Sequence, residues 1–193
     1  MGAAVLWAFQ ELYGKSNRVG AIVTVDQAPL QNIAPDWRLG STGCYDIASL
    51  TRLQDAVMFD FRKFAIDNAA CCCDSSKVDA SILEMLTEET LKASNDGLCK
   101  LMADHTARDW RPILANITVP CLNVIGARSK IFPKEGVEAV SKLLKSCKMV
   151  KTEVFADGEH WMYVEESDRF NSCIVQFAND ATAPSNDSFN HEN

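Results

Sequence analysis

The stretch FADGEHW, residues 155–161, joins a strand end, a glycine turn and a histidine. The apolar run at 149–155 predicts a strand, and the spacing of apolar residues over 162–178 predicts an amphipathic helix. A histidine between such elements lies at the carboxyl end of a sheet, where its imidazole can take a proton from a nucleophile. His160 is therefore a candidate site residue, the alternative being a solvated loop histidine.

Two further segments have the composition of buried strands, VGAIVTV at 19–25 and PCLNVI at 120–125. Both are apolar and rich in β-branched residues, which favours strands that are buried on both faces of a sheet. With the strand at 149–155 they alternate with helical patterns over 2–14 and 134–146. This alternation predicts an α/β fold with a parallel sheet.

A long helical region without a strand pattern separates the first two strands. It covers 36–115, with a small and polar break at 69–76, and an insert of this kind is expected to form a helical cap over a site. We divide the chain into a core part at 1–35, this cap, a second core part at 116–178 and a polar tail at 179–193. The tail is rich in Ser, Asn and Asp and is predicted to be disordered.

The composition is that of an ordinary globular protein, with 193 residues, 47% of them hydrophobic, and a net charge of −7. Because the sequence has no cluster of Lys and Arg, we expect neither nucleic acid nor an anionic membrane surface as a partner. No apolar run is long enough to span a bilayer, and the first residues lack the basic region of a signal peptide. These features predict a cytoplasmic protein.

The eight cysteines have no metal-ligand spacing, and the adjacent triplet at 71–73 does not suit one tetrahedral ion. We predict that they are small buried apolar side chains in a reducing compartment. The sequence also contains no phosphate-binding glycine loop and no H-E-x-x-H motif, so no metal or other cofactor is expected. His105 lies among charged residues of a helical pattern and is predicted to be on the surface.

Three segments, together with the histidine loop, carry a resemblance to a known family: MGAA at 1–4, DWRPIL at 109–114 and VPCLNVIG at 119–126. They resemble the α/β-hydrolases, and in particular the haloperoxidase- and esterase-like branch. In that family the nucleophile lies on a strand-to-helix turn with the pattern G-x-S-x-G. The resemblance implies that the serine directly precedes Met1, that Gly2 is the last glycine of the motif, and that the chain is the C-terminal part of a hydrolase. The fold implied is an incomplete α/β-hydrolase parallel sheet of about three C-terminal strands.

The resemblance also locates the acid that orients the histidine. In most members an aspartate follows the glycine of the second strand by three positions, but here that position is Ser129. A hydroxyl brings no full negative charge, so we expect Asp26, at the end of the first strand, to be the acid instead, as in haloalkane dehalogenases. The alternative is that Asp26 caps the following turn.

By this resemblance, complete relatives hydrolyse esters or related acyl bonds by a Ser-His-Asp mechanism, with His160 as base and Asp26 as orienting acid. The backbone N–H of Met1 would correspond to one oxyanion donor. The expected substrate is a small apolar ester, with Trp37 and Trp161 as candidate pocket residues. The expectation for 1–193 alone is that the nucleophile is missing.

Two other functions remain open at this point. One is a non-catalytic interaction protein or pseudoenzyme, in which the exposed edge of the strand at 19–25 pairs with another chain or with a second copy. The other is a dehalogenase or epoxide hydrolase, in which an aspartate replaces the nucleophilic serine.

Overall fold

A computed structural model describes residues 1–14 and 18–183. Its three strands are β1 (Ile22–Val25), β2 (Cys121–Gly126) and β3 (Val150–Phe155). They form one parallel sheet with the order β1-β2-β3. The predicted parallel α/β sheet is thus confirmed.

The register of the sheet aligns the strand ends. Ile22 pairs with Cys121 at the amino end of the sheet, and Gly126 pairs with Phe155 at its carboxyl end. All three strands therefore leave the sheet on the same side, and the loops after them meet at one edge. This edge is where open parallel sheets place their ligand sites.

The strands differ in burial. All six residues of β2 are buried, as the sequence predicts. In β1 burial alternates, because Ile22 and Thr24 are buried whereas Val23 and Val25 are only partly so. The prediction that β1 is buried on both faces is therefore wrong. Within the described residues β1 pairs with β2 alone, so it is an edge strand.

The described part of the chain also contains helices, some of which pack on the sheet while others form the cap. They are α1 (Gly2–Tyr13), α2 (Ile47–Phe59), α3 (Phe61–Cys72), α4 (Ala80–Leu91), α5 (Asn95–Ala107), α6 (Arg111–Leu114), α7 (Lys134–Leu143), α8 (Met162–Glu165) and α9 (Ser167–Thr182). None of these helices is long and apolar enough to cross a membrane.

Three of the four cap helices, α2, α3 and α5, begin at residues whose side chains accept hydrogen bonds from free backbone N–H groups. Asp46 and Ser49 form a capping box at the start of α2, and Ser94 accepts a hydrogen bond from Gly97 N in α5. The predicted break at 69–76 begins later than expected, because α3 continues through Cys72. The polar residues that interrupt the helix lie between α3 and α4.

The C-terminal helix also differs from its prediction. Instead of one helix over 162–178 there are two, α8 and α9, separated at Glu166, and α9 continues to Thr182. The first residues of the predicted tail are therefore helical. Residues 184–193, the rest of that tail, lie outside the described residues.

Helices cover both faces of the sheet. On one face, α1, α6 and α7 pack on Ile22 and Cys121, with the rings of Trp7 and Trp110 6.2 Å apart. On the other face, Phe177 of α9 packs among residues of β2 and β3. This packing fixes the sheet, and with it the positions of the loops at its carboxyl edge.

Candidate active site

Asp26 follows the last residue of β1 and turns the chain sharply out of the sheet. Its backbone N still donates to Val124 O at 2.8 Å, so the residue continues the ladder with β2. Its φ is 43°, the left-handed region, and it is the one non-glycine residue of the described part with a positive φ. Such a conformation is uncommon outside glycine and is stabilised here by the surrounding contacts.

The carboxylate of Asp26 is completely buried and has two partners. Oδ1 accepts a hydrogen bond from Gly126 N at 3.1 Å, and Oδ2 lies 2.7 Å from His160 Nδ1. A buried carboxylate is costly unless hydrogen bonds satisfy its oxygens, and both oxygens are satisfied here. The alternative role of a turn cap does not describe these contacts, which join the ends of β1 and β2 to the loop after β3.

His160 lies in the loop that follows β3. Gly158 N donates to Phe155 O at 3.1 Å, which closes the turn, and Arg128 N donates to Gly158 O at 3.0 Å. The side chain of His160 is 21% exposed, so its ring has a buried edge toward Asp26 and an accessible part. The structure therefore brings together the two predicted site residues, which lie far apart in the sequence. Their catalytic role stays a prediction.

His160 faces a cleft of about 370 Å³. The cleft is lined by α1, by the edge strand β1 and by the histidine loop, with the residues Met1, Gly2, Ala3, Leu6, Val23, Val25, Gln27, His160, Trp161 and Tyr163. Burial raises the pKa of the Tyr163 hydroxyl to about 12, so this side chain is neutral at physiological pH. The cleft thus combines apolar side chains with polar groups, the imidazole of His160 among them, as small-molecule sites do.

The cap contacts the histidine loop through Glu165. Glu165 Oε1 accepts from Asp74 N at 2.6 Å, and Oε2 accepts from Glu159 N at 3.0 Å. One carboxylate thereby joins the segment between α3 and α4 to the residue before the histidine. Trp161 N also donates to the carbonyl of Cys72, the last residue of α3, at 2.9 Å. Neither link is predicted by the sequence, because the groups that donate to Glu165 and to Cys72 are backbone N–H groups.

A second buried carboxylate, that of Glu159, directly precedes His160 in the sequence. Its Oε1 lies 3.1 Å from Lys130 Nζ, and this hydrogen bond raises the pKa of Lys130. Its Oε2 is buried without a hydrogen-bond partner among the described residues. The surroundings of the histidine therefore hold two buried carboxylates, those of Asp26 and Glu159.

Ser129 occupies the position where most relatives are expected to carry the acid. Its Oγ accepts hydrogen bonds from Ile131 N at 3.2 Å and Phe132 N at 3.4 Å, so it stabilises the turn after β2. These contacts explain why the residue is polar without giving it a role at the imidazole. The acid that contacts the histidine is Asp26.

Thiols close to the site are poorly suited to be its nucleophile. Burial raises the pKa of Cys73 to about 11, and burial likewise raises the pKa of Cys72. Because the thiolate is the reactive form, both groups are weak nucleophiles at neutral pH. Within residues 1–14 and 18–183, no group of three or more His, Cys, Asp or Glu side chains is arranged to hold a metal ion.

Two predictions about individual side chains are wrong. His105, expected on the surface, is buried, and burial together with the nearby positive amino terminus lowers its pKa to about 4. Trp37, a candidate pocket residue, packs in a core cluster with Ala28 and Phe132 and donates its indole N–H to Leu30 O. Trp161, the other candidate, does line the cleft.

Comparisons with known proteins give one curated relative and several solved structures. No protein-family model matches the chain. The AB hydrolase superfamily protein YisY of Bacillus subtilis is 29% identical over 103 residues, which are 53% of this chain and 37% of that protein.

The fold is shared with solved structures at low sequence identity. A bromoperoxidase from Bacillus anthracis matches 93% of this chain with a TM-score of 0.81, and an esterase from Exiguobacterium antarcticum matches 91% with a TM-score of 0.82, each at 18% identity. The enol-lactonase of Burkholderia xenovorans matches 90% at 14% identity, with a TM-score of 0.72. The chain spans 65%, 63% and 60% of these three structures, less than two thirds of their length.

Proposed function

We propose that this chain, which has the α/β-hydrolase fold and resembles esterases and haloperoxidases, contributes the histidine–aspartate half of an ester-hydrolysing site. The observation that carries the proposal is the 2.7 Å contact between His160 Nδ1 and Asp26 Oδ2 at the edge of a substrate-sized cleft. The names of the solved structures that share the fold, an esterase and an enol-lactonase among them, support acyl-group chemistry.

The pair suits general-base catalysis. When Nδ1–H of His160 donates to the Asp26 carboxylate, the ring is held in the tautomer whose Nε2 carries a lone pair. Nε2 then accepts the proton of a serine hydroxyl while the oxygen attacks the ester carbonyl. The resulting imidazolium lies against the buried carboxylate, which stabilises it, and it returns the proton to the leaving alcohol.

The N-terminal end of α1 is the proposed position of the nucleophile. Met1 and Gly2 line the same cleft as His160, so a hydroxyl held at this helix end faces the imidazole across the cleft. The first backbone N–H groups of a helix are free of intrahelical partners and carry a partial positive charge. They can stabilise the negative oxygen that forms as the carbonyl is attacked.

The proposed substrate is a small apolar ester. Leu6, Val23, Val25 and Trp161 supply apolar walls to the cleft. A cleft of about 370 Å³ lies toward the lower end of the range for small-molecule sites. Among the lining side chains, the imidazole of His160 is the group that contacts a buried carboxylate.

The test is p-nitrophenyl ester hydrolysis by the chain with a glycine, one further residue and a serine joined directly before Met1. We expect turnover that depends on this serine and that falls to the uncatalysed rate in the His160→Gln variant. An alanine in place of the added serine is the matched control, and residues 1–193 without the addition should also show only the uncatalysed rate. Turnover that persists in His160→Gln, or none in the extended chain, would contradict the proposal.

The edge strand favours a second candidate, a role in binding a partner strand. Within the described residues β1 forms backbone hydrogen bonds with a neighbouring strand, β2, on one side only. Val23 and Val25 of β1 line the cleft. A free strand edge can bind an added strand through its backbone groups. Light scattering after gel filtration should then show a defined dimer that Val23→Lys dissociates, whereas a monomer at high concentration contradicts this role.

A further inference from the structure

Cys121 and Cys147 lie together at the amino end of the sheet, opposite the candidate active site. Cys121 is the first residue of β2, and Cys147 lies in the loop between α7 and β3. The backbone N of Cys121 donates to Met149 O at 2.8 Å. This hydrogen bond ties the start of β2 to the segment that contains Cys147.

The two sulfur atoms converge on one oxygen. Cys147 Sγ lies 2.9 Å from Val119 O, and Cys121 Sγ lies 3.3 Å from the same atom. Cys147 Sγ also contacts Met149 O at 2.9 Å, the oxygen that accepts from the Cys121 backbone. Both side chains therefore point into the same small space, between the start of β2 and the loop that precedes β3.

The two thiols differ in accessibility. Cys121 is 2% exposed within the core cluster below α1 and α7, whereas Cys147 is only partly buried. Burial raises the pKa of the Cys121 thiol. The neighbouring Cys147 raises this pKa further, through its charge and through a hydrogen bond between the two side chains. Because Cys147 is the more exposed of the two, it is the thiol that meets a reagent from solvent first.

We propose that Cys121 and Cys147 are a disulfide-forming pair that closes when a small disulfide such as oxidised glutathione reaches Cys147. The Cys147 thiolate attacks one glutathione sulfur, forming a mixed disulfide and releasing one glutathione thiolate. The Cys121 thiolate then attacks Sγ of Cys147 and releases the second glutathione. Two protein thiols are oxidised, one glutathione disulfide is reduced to two thiols, and the two protons pass to solvent or to the released thiolates.

The bond would join β2 to the loop before β3 across the whole of α7. Closing a loop of this length restricts the unfolded chain and thereby stabilises the fold. Asp26 and His160 lie at the other end of the strands, so the bond leaves their contact in place. The proposal is thus independent of the proposed hydrolytic function.

The test is incubation of the folded chain with oxidised glutathione, followed by acid quenching, alkylation of free thiols and peptide mapping. We expect the peptide pair containing Cys121 and Cys147 to be the main intramolecular disulfide, with faster closure at higher pH. Oxidation should raise the melting temperature by roughly 5 °C, and a reductant should reverse the rise.

Matched single-cysteine variants separate this pair from the other thiols. Cys147→Ser and Cys121→Ala should each abolish the rise in melting temperature, whereas Cys173→Ser, at a partly buried thiol of α9, should leave it intact. The proposal is overturned if Cys147 stays in a mixed disulfide, or if the main bond involves the cysteines at 71–73. It is also overturned if Cys173→Ser abolishes the rise, or if oxidation leaves the melting temperature unchanged.

Discussion

At the carboxyl end of the sheet, β1 and β3 lead into loops that hold a buried carboxylate against an imidazole, whereas the amino end holds apolar side chains and two thiols. Asp26 has a strained backbone and a fully buried charge, and both persist because Gly126 and His160 contact it. Cys121 at the other end is equally buried but makes only weak sulfur contacts.

We interpret this difference as a division between an end that is suited to chemistry and an end that stabilises the fold. Strain and buried charge reduce stability, so they are maintained at the end where a function can use them. The amino end has neither feature, and substitutions there should change the free energy of unfolding without changing the contact between Asp26 and His160. A variant at Asp26, Gly126 or Glu165 should therefore have a larger effect than a matched variant at a position that lacks its contacts.

The largest expected effect concerns Asp26→Asn. The variant keeps the size of the side chain but removes the charge that would stabilise the imidazolium, and it can hold the histidine in the wrong tautomer. Ester turnover by the serine-extended chain should fall by roughly 10³- to 10⁴-fold. The matched control is Ser129→Ala, which should leave turnover within about twofold of the parent, since Ser129 only stabilises a turn. Equal losses in the two variants would mean that Asp26 is not the acid.

Gly126→Ala tests how tightly the carboxyl end is packed. A Cβ at Gly126 would lie 2.3 Å from Glu159 O, so the histidine loop must move. We expect a loss of about 3 kcal/mol in the free energy of unfolding, measured by urea titration. The matched control is Gly20→Ala just before β1, where a Cβ meets nothing within 4 Å. A similar loss in both variants would contradict the packing described for Gly126.

Glu165→Ala tests the link between the cap and the histidine loop. It removes the acceptor of two backbone N–H groups, which should cost about 2 kcal/mol of stability. Hydrogen exchange should become faster at the amides of Asp74 and Glu159, the two donors. Glu166→Ala, which removes an exposed pair with Arg169, should leave exchange at these amides unchanged. Unchanged exchange in Glu165→Ala would show that the link is dispensable.

The smallest expected effect concerns His105, which should make the free energy of unfolding depend on pH. Its pKa is lowered to about 4 from 6.5 by burial and by the positive amino terminus, with Asp104 opposing the shift. Between these values the unfolded chain binds a proton that the folded chain does not, so stability falls as the pH is lowered through this window. The loss of stability that His105 causes over this window should be about 2 kcal/mol at most, after allowance for screening by solvent.

The measurement is urea unfolding at pH 7 and pH 4.5 for the parent chain and for His105→Gln. The variant lacks the titrating group, so its loss of stability between the two pH values should be smaller than that of the parent. An identical loss in the two proteins would show that His105 is already accessible to protons in the folded state.

Much of the fold could be predicted from the sequence because strand and helix patterns are local. The apolar run at 120–125 and the stripe at 134–146 gave β2 and α7 to within a few residues. The burial of β1 was mispredicted because burial depends on which strands lie beside it in the sheet. The neighbours of a strand cannot be derived from its own sequence. The boundary between α8 and α9 lies at Glu166 and was not predicted either.

The candidate site was predictable to the extent that it follows strand ends. Asp26 and His160 each follow an apolar run, and parallel strands bring such positions to one edge. The link through Glu165 was not predictable, since its donors are backbone groups from the cap and the histidine loop. The burial of His105 was missed because its charged neighbours suggested a surface, whereas the side chain is buried beside a cleft that it lines together with residues of α1.

The most direct test of the central claim is proton NMR of the imidazole N–H of His160. If Nδ1–H donates to the buried Asp26 carboxylate, a low-field, exchange-protected resonance should be present in the parent chain and in Ser129→Ala. It should be absent from His160→Gln and lost or shifted strongly upfield in Asp26→Asn. The account is contradicted if the parent lacks this resonance, or if it persists unchanged in Asp26→Asn.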